Sequence, residues 1–298
     1  MDGCVCVAGD GVLKKCYTCR DDCMFAGGVR CFEWWNGGIT VLTYCGATDK
    51  GGRSNNEDAY NTVTIEHASG NLHLLAVADG VGGHAAGEVA SKLAVVELVE
   101  TVKRRVAARK TITLETMKEL LRAGFTKANE EVCYQSELVH ERRDMGTTLV
   151  AALLLDDGTG VVANVGDSRA YLIESGVGGR DRGRDEIVQV TRDHSYVQAL
   201  VDRGAITEEE AFSHPKKNIV TKVIGQKGIK PDLYDVKLGS GMLLLSSDGL
   251  SDTLEDAEIQ AEVSISMSRS RDDGCRRLVK AALARGAKDN VTVVLASR

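Results

Sequence analysis

Two aspartates carry the strongest chemical suggestion in this chain. Asp79 ends the apolar run "LLAVADG" and Asp248 ends "LLLSSDG", each immediately before a glycine. Asp289 in "AKDNVTVVLA" and the pair Glu57-Asp58 in "NNEDAYNTVTI" stand instead where strand-like runs begin. In an antiparallel sheet the end of one strand and the start of its neighbour share a rim, so strands that alternate in direction gather these carboxylates at one edge. Asp167, in "ANVGDSRAYL" between two strand-like runs, can join them. Crowded carboxylates repel one another, and cations relieve the repulsion. Mg²⁺ and Mn²⁺ favour oxygen ligands, and glycine after Asp79 would let the Gly80 carbonyl approach an ion. Two such ions sharing a bridging carboxylate can activate a water and polarise a phosphoryl oxygen. One Asp-Gly alone is a turn signal. The whole set, in its local sequences, points to a metal centre.

Regular elements must hold these residues. Ile39 to Cys45 reads as a strand, followed by the Gly- and Asn-rich loop "GATDKGGRSNNEDAY" and by the strands "NTVTI" and "LHLLAVA". From Ala85 to about Lys110, Ala86, Val89, Ala90, Leu93, Val96 and Val99 fall at helical spacing. A second helix is expected from Thr113 as N-cap, with Met117, Leu120, Leu121, Phe125, Ala128 and Val132 on one side. Strands return in "GTTLVAALLLD", "VVANVG", "RAYLIES" and "EIVQV"; residues 191 to 230 are polar, with a short helix around 195 to 203 and no strong strand. The strand "GMLLLSSDG", a helix from about 271 to 285 and the strand "NVTVVLAS" complete the pattern. Hairpin-like connections between blocks predict an α+β domain of antiparallel sheets with flanking helices, not a doubly wound parallel one.

Composition narrows the function. With 43% hydrophobic and 27% charged residues over 298 positions, the chain can bury a sizeable core and is not broadly disordered. Aromatics at 4% and a net charge of −6 disfavour nucleic-acid binding, whether by stacking or by phosphate contacts. No apolar run approaches the roughly 18 to 20 residues of a membrane span, so a soluble, cytoplasmic protein without membrane contact is expected. Of nine cysteines, seven fall at 4, 6, 16, 19, 23, 31 and 45. A reducing compartment favours free thiols or a metal site over disulfides there.

The ordered motifs "RSNNEDA", "DGVGGH", "GTT", "GDSRAYL", "TRDHS", "SSDGLSD" and "KDNVTVV" resemble the metal-dependent type-2C serine/threonine protein phosphatases in their bacterial-type form, over residues 40 to 298. That resemblance implies a sandwich of two antiparallel β-sheets flanked by α-helices, with two and at most three Mn²⁺ or Mg²⁺ ions at one rim. By the same resemblance Asp79 would bridge two ions, with the Gly80 carbonyl on one; Asp248 and Asp289 would complete the other. Glu57 and Asp58 would serve the same centre, and Asp167 with Asp248 a third, weaker ion. Arg53 would bind the substrate phosphate, since a guanidinium fork suits two phosphate oxygens. The implied reaction is in-line attack of activated water on phosphoserine or phosphothreonine in proteins, without a phosphoenzyme, by a monomer opposing a Ser/Thr kinase. A pseudophosphatase, kept as a regulatory phosphoprotein-binding module, is the alternative; the intact ligand set favours activity.

The chain departs from the pattern in places. Val81 stands where animal-type members carry a histidine, and His84 follows three residues later. Residues 191 to 230 match the flap beside the active site, where Asp193, His194, Ser195 and Asn218 are expected to act structurally. Gly146-Thr147-Thr148 is read as backbone and packing near the site. Residues 1 to 38 form a Cys- and Gly-rich extension ahead of a phosphatase domain at 39 to 298, in which Cys16, Cys19, Cys23 and Cys31 could hold Zn²⁺.

Overall fold

The computed structural model describes residues 4–7, 13–16, 42–81, 85–138, 140, 145–174, 186–269 and 274–298. The chain divides into two compact units, residues 1–40 and 41–298. In the first, β1 (Cys4–Val7) and β2 (Leu13–Cys16) pair antiparallel, with Cys4 opposite Cys16.

The central strands of the second unit read as near-continuous apolar runs because both of their faces are covered. One antiparallel sheet has the order β10 (Glu186–Gln189), β9 (Arg169–Glu174), β12 (Met242–Ser246), β13 (Val291–Ser297), β3 (Thr43–Asp49). The other has the order β11 (Asp232–Lys237), β8 (Thr159–Val165), β7 (Leu149–Leu155), β5 (Leu72–Val81), β4 (Asp58–Ile65), with the short β6 (Gly146–Thr147) paired to the end of β5. Strand period two sends Leu74, Ala76 and Ala78 of β5 toward α1 (Ala85–Ala107) and α2 (Leu114–Leu138), and Leu75 and Val77 toward the opposite sheet. On that opposite sheet, Leu243 and Leu245 meet them, while Met242 and Leu244 face outward to α5 (Asp248–Ser251), α6 (Asp256–Arg269) and α7 (Gly274–Ala284). The result is a helix–sheet–sheet–helix sandwich with three apolar layers. Each fully buried leucine in it contributes about 2 kcal/mol.

Most sequence-based elements appear with shifted ends. The loop 46–60 is shorter than expected because β3 continues to Asp49 and β4 begins at Asp58. Thr113 caps α2 as expected, its Oγ1 accepting from Thr116 N at 3.2 Å. Ser195 caps α3 (Tyr196–Asp202) in the same way, accepting from Gln198 N. The β1–β2 hairpin and the single turn α5 escaped the sequence reading, and so did three further elements. The first is α4 (Glu208–Phe212), a single turn held by a Thr207/Glu210 capping box. The second is the edge strand β11, in which only Val236 is buried. The third is α6, whose core anchors Ile259 and Val263 are too sparse to set a period among serines and β-branched residues of low helix propensity.

The thiol expectation needs one correction. Cys45 of β3 and Cys275 of α7 form a disulfide across a sequence separation of 230. Sequence spacing could not pair them, because only the packing of α7 on β3 makes them neighbours. Cys133 is a free thiol. Cys19, Cys23 and Cys31 of the expected zinc set lie outside the described residues; Cys16 is part of β2. Among the described residues no helix is long and apolar enough to cross a membrane.

Candidate metal centre

The register of β4 on β5 puts Asp58 directly opposite Asp79. Directly opposed side chains share a face about 5 Å apart, so two ionised carboxylates there destabilise the pair. In the other sheet Arg169 pairs with Ser246, and Ser246 with Val293. Asp167 two residues before Arg169, Asp248 two after Ser246 and Asp289 just before β13 therefore stand at the same sheet end. Of the residues expected at one rim, the fold brings together Asp58, Asp79, Asp167, Asp248 and Asp289, with Glu57 and Gly80 alongside.

Electrostatics reflects that crowding. Burial first, then the charges of Asp58 and Asp248, hold the Asp79 carboxyl well above its ordinary range. Burial pushes Asp58 up to about 7, against the opposing hydrogen bonds from Thr292 and Ser247. Asp248 is raised to about 6 by burial and by Asp252, and Asp167 well above the usual range by burial and by Asp248. Asp58 Oδ1 and Asp248 Oδ1 are buried with no hydrogen-bond partner. Buried carboxylate oxygens are normally paired or coordinate a metal. These two orphaned atoms, both hard oxygens, suit a divalent cation. The side chains crowd the rim without closing around a point: among the described residues no three Asp, Glu, His or Cys groups form a ready cage.

A buried shell of hydroxyls and amides holds the rim. Thr148 Oγ1 accepts from Asp79 N at 2.9 Å, and Thr147 Oγ1 donates to Asp79 O at 2.8 Å. Ser247 Oγ donates to Asp58 Oδ2 at 2.8 Å and accepts from Thr292 N at 2.9 Å. Asn290 fastens the loop between β3 and β4: its Oδ1 accepts from Glu57 N at 2.7 Å, and its Nδ2 donates to Lys50 O at 2.9 Å and Asn55 O at 2.8 Å. Gly80 N donates to Glu57 O at 3.2 Å, and a side chain at Gly80 would strike Gly87 O. Gly87 in turn would strike Glu57 Oε2 if it carried one, so the first turn of α1 lies against Glu57 and Gly80. Ser247 and Asn290 were not singled out from sequence. Each flanks an acidic residue inside a motif, and that adjacency was the only available signal.

Arg53 lies at the mouth, its side chain 60% exposed, with Nη2 2.6 Å from Asp289 Oδ2. It is therefore joined to an acidic residue of the rim. In the stretch 191–230, Asp193 accepts from Arg169 Nε and Nη2, and His194 Nδ1 accepts from Gly166 N at 3.0 Å, both contacts within the scaffold. His84 lies outside the described residues, together with Gly82 and Gly83.

Two antiparallel sheets between two layers of helices, with an acidic rim at one end, define the protein class. The sequence pattern of the protein phosphatase 2C family matches residues 45–285. The chain belongs to that family of serine/threonine phosphatases. It is 37% identical over 258 residues to serine/threonine protein phosphatase PstP of Mycobacterium tuberculosis, covering 86% of this chain and 45% of that protein. The chain thus spans about half the length of that relative. Among solved structures, serine/threonine phosphatase Stp1 from Staphylococcus aureus superposes with TM-score 0.75 at 39% identity, over 87% of this chain and 96% of that one. The catalytic domain of PstP in complex with two manganese ions superposes with TM-score 0.68 at 35% identity, over 86% and 98%.

Proposed function

We propose that the chain hydrolyses phosphoserine and phosphothreonine in proteins with Mn²⁺ or Mg²⁺, and that residues 39–298 are the domain that does so, with 191–230 as its flap. The observation that carries this reading is the pair of buried, partnerless oxygens of Asp58 and Asp248 within the acidic rim. Asp79, the Gly80 carbonyl, Glu57, Asp58, Asp248 and Asp289 would hold two cations, and Asp167 with Asp248 a third. When bound, the cations supply Lewis-acid charge for activating water and polarising the phosphoryl group. Arg53 at the mouth receives two phosphate oxygens on its guanidinium fork. Asn290 keeps the loop bearing Arg53 and Glu57 in place. Ser247 is fully buried between Asp58 and Thr292 and does not face substrate, which fits attack by water without a phosphoenzyme. The cellular counterpart of this activity is a Ser/Thr kinase acting on the same proteins.

The test is turnover of a phosphothreonine peptide with Mn²⁺, Mg²⁺ or chelator. Hydrolysis with either metal and none with chelator is expected. Metal-independent hydrolysis would overturn the centre. Metal binding without hydrolysis would identify a pseudophosphatase.

A further inference from the structure

Charge is distributed unevenly along this acidic chain. Residues 101–127 hold eight lysines and arginines against two glutamates, a net of +6 in a chain whose total is −6. They occupy the end of α1, the connecting turn and the first half of α2. There a groove of about 470 Å³ opens between the two helices, lined by Thr101, Arg104, Arg105, Arg122 and Lys127, with Glu119 and Glu130 also on its walls. Glu119 is already bound to Arg109 at 2.7 Å. Among the described residues Arg122 and Lys127 have only long ion-pair contacts, to Glu115 at 3.4 Å and Glu131 at 3.6 Å. Among the described residues Arg104 and Arg105 make no ion pair. Thr101 is 2% exposed, yet its Oγ1 has no hydrogen-bond partner. Thr101 thus forms the floor of the groove, and the cations rim it.

We infer that this α1/α2 groove is a docking site for an acidic segment of the phosphoprotein substrate, separate from the metal rim. The inference rests on the phosphatase reading above and deepens it. Guanidinium groups recognise carboxylates and phosphates in a bidentate manner, and the lining offers four cations and the exposed hydroxyl of Thr126. The groove has no aromatic residue for stacking a base and no large apolar residue for entering a lipid layer, and it is concave, so an extended acidic peptide is the occupant that fits. The first turn of α1 lies against Glu57 and Gly80. At 1.5 Å per residue, Thr101 to Arg105 lie roughly 24 to 30 Å along the helix from Ala85. An extended chain covers that distance in about eight or nine residues. A substrate with an acidic run about that far from its phosphoresidue can occupy both sites, which raises the effective concentration at the rim.

The experiment uses the full chain and three probes. The first is a fluorescein-labelled deca-glutamate peptide read by anisotropy, and the second a pair of phosphothreonine peptides with and without a glutamate run nine residues away. p-Nitrophenyl phosphate with Mn²⁺ is the third. Arg104→Glu with Arg105→Glu, both at exposed positions, is expected to abolish salt-sensitive binding of deca-glutamate. The same variant should raise KM for the acidic-run peptide about tenfold, leaving kcat, the short peptide and p-nitrophenyl phosphate unchanged. Arg122→Glu should act in the same direction. Equal KM values for both peptides in wild type and variant, or undiminished binding of deca-glutamate by the variant, would overturn the site. Arginine-dependent binding to phosphatidylglycerol vesicles without binding of deca-glutamate would replace the peptide by a membrane surface. Failure to hydrolyse p-nitrophenyl phosphate would count against the phosphatase reading, whereas anisotropy judges the groove without it.

Discussion

Asp79 is held through its backbone by Thr147 and Thr148 and faces Asp58 across the ladder, so its carboxylate has little freedom to avoid its neighbours. Asp79→Asn removes a charge without a change of volume. It should reduce Mn²⁺-dependent hydrolysis of p-nitrophenyl phosphate at least a hundredfold, while circular dichroism stays native; near-normal turnover by the folded variant would remove Asp79 from the centre. Asn290 poses a different question, because it is buried and carries three hydrogen bonds to the β3–β4 loop. Truncation to alanine strands an N–H and two carbonyls and should cost about 3 kcal/mol in urea denaturation. An unchanged midpoint would show that the loop is held elsewhere.

At the level of elements, the β3–β4 loop and the Cys45–Cys275 bond both join distant parts of the chain. Gly51 has φ +57° and its missing side chain leaves room for Asp289 O, so the loop folds directly onto the start of β13. Gly51→Ala is both strained and blocked. It should lower stability by about 1 kcal/mol or more and raise KM by displacing Arg53, read from urea denaturation and steady-state kinetics together. The disulfide ties edge strand β3 to α7 over 230 residues of chain. Closing so long a loop restricts the unfolded state, so reduction or Cys275→Ser should lower stability by about 3 kcal/mol. Identical urea midpoints with and without dithiothreitol would contradict this.

For the molecule as a whole, the acidic rim links stability to pH and to metal. Asp58 titrates at about 7 and Asp248 at about 6 in the folded state, both above their unfolded values. The folded protein then binds more protons than the unfolded chain between about pH 4 and 7, so these groups lower metal-free stability as pH rises through that window. A cation offsets the ionised carboxylates above it. Thermal melts should therefore show Mn²⁺ raising Tm by several degrees at pH 7.5 and far less at pH 5, and Asp58→Asn should reduce the contrast. An equal Mn²⁺ shift at both pH values would break the link.

Much of this architecture is local and was legible in the residues. Apolar runs buried on both faces, the helical period of α1 and α2, the Thr113 cap and the acids at strand ends all follow from side-chain period and turn chemistry, which depend only on near neighbours in sequence. Strand direction could be inferred as well, and with it the shared end of Asp79, Asp248 and Asp289. Edge strand β11 and helix α6 were not legible, because each buries few residues and so leaves a weak period. Other features depend on which surfaces meet after folding. These are the Asp58–Asp79 register, the Ser247 and Asn290 hydrogen bonds, the Arg53–Asp289 pair and the Cys45–Cys275 bond. Residue types determined that carboxylates would end strands. Only tertiary packing decided which ones would be buried, partnerless and raised in pKa, because desolvation and mutual repulsion depend on distances between segments far apart in the chain.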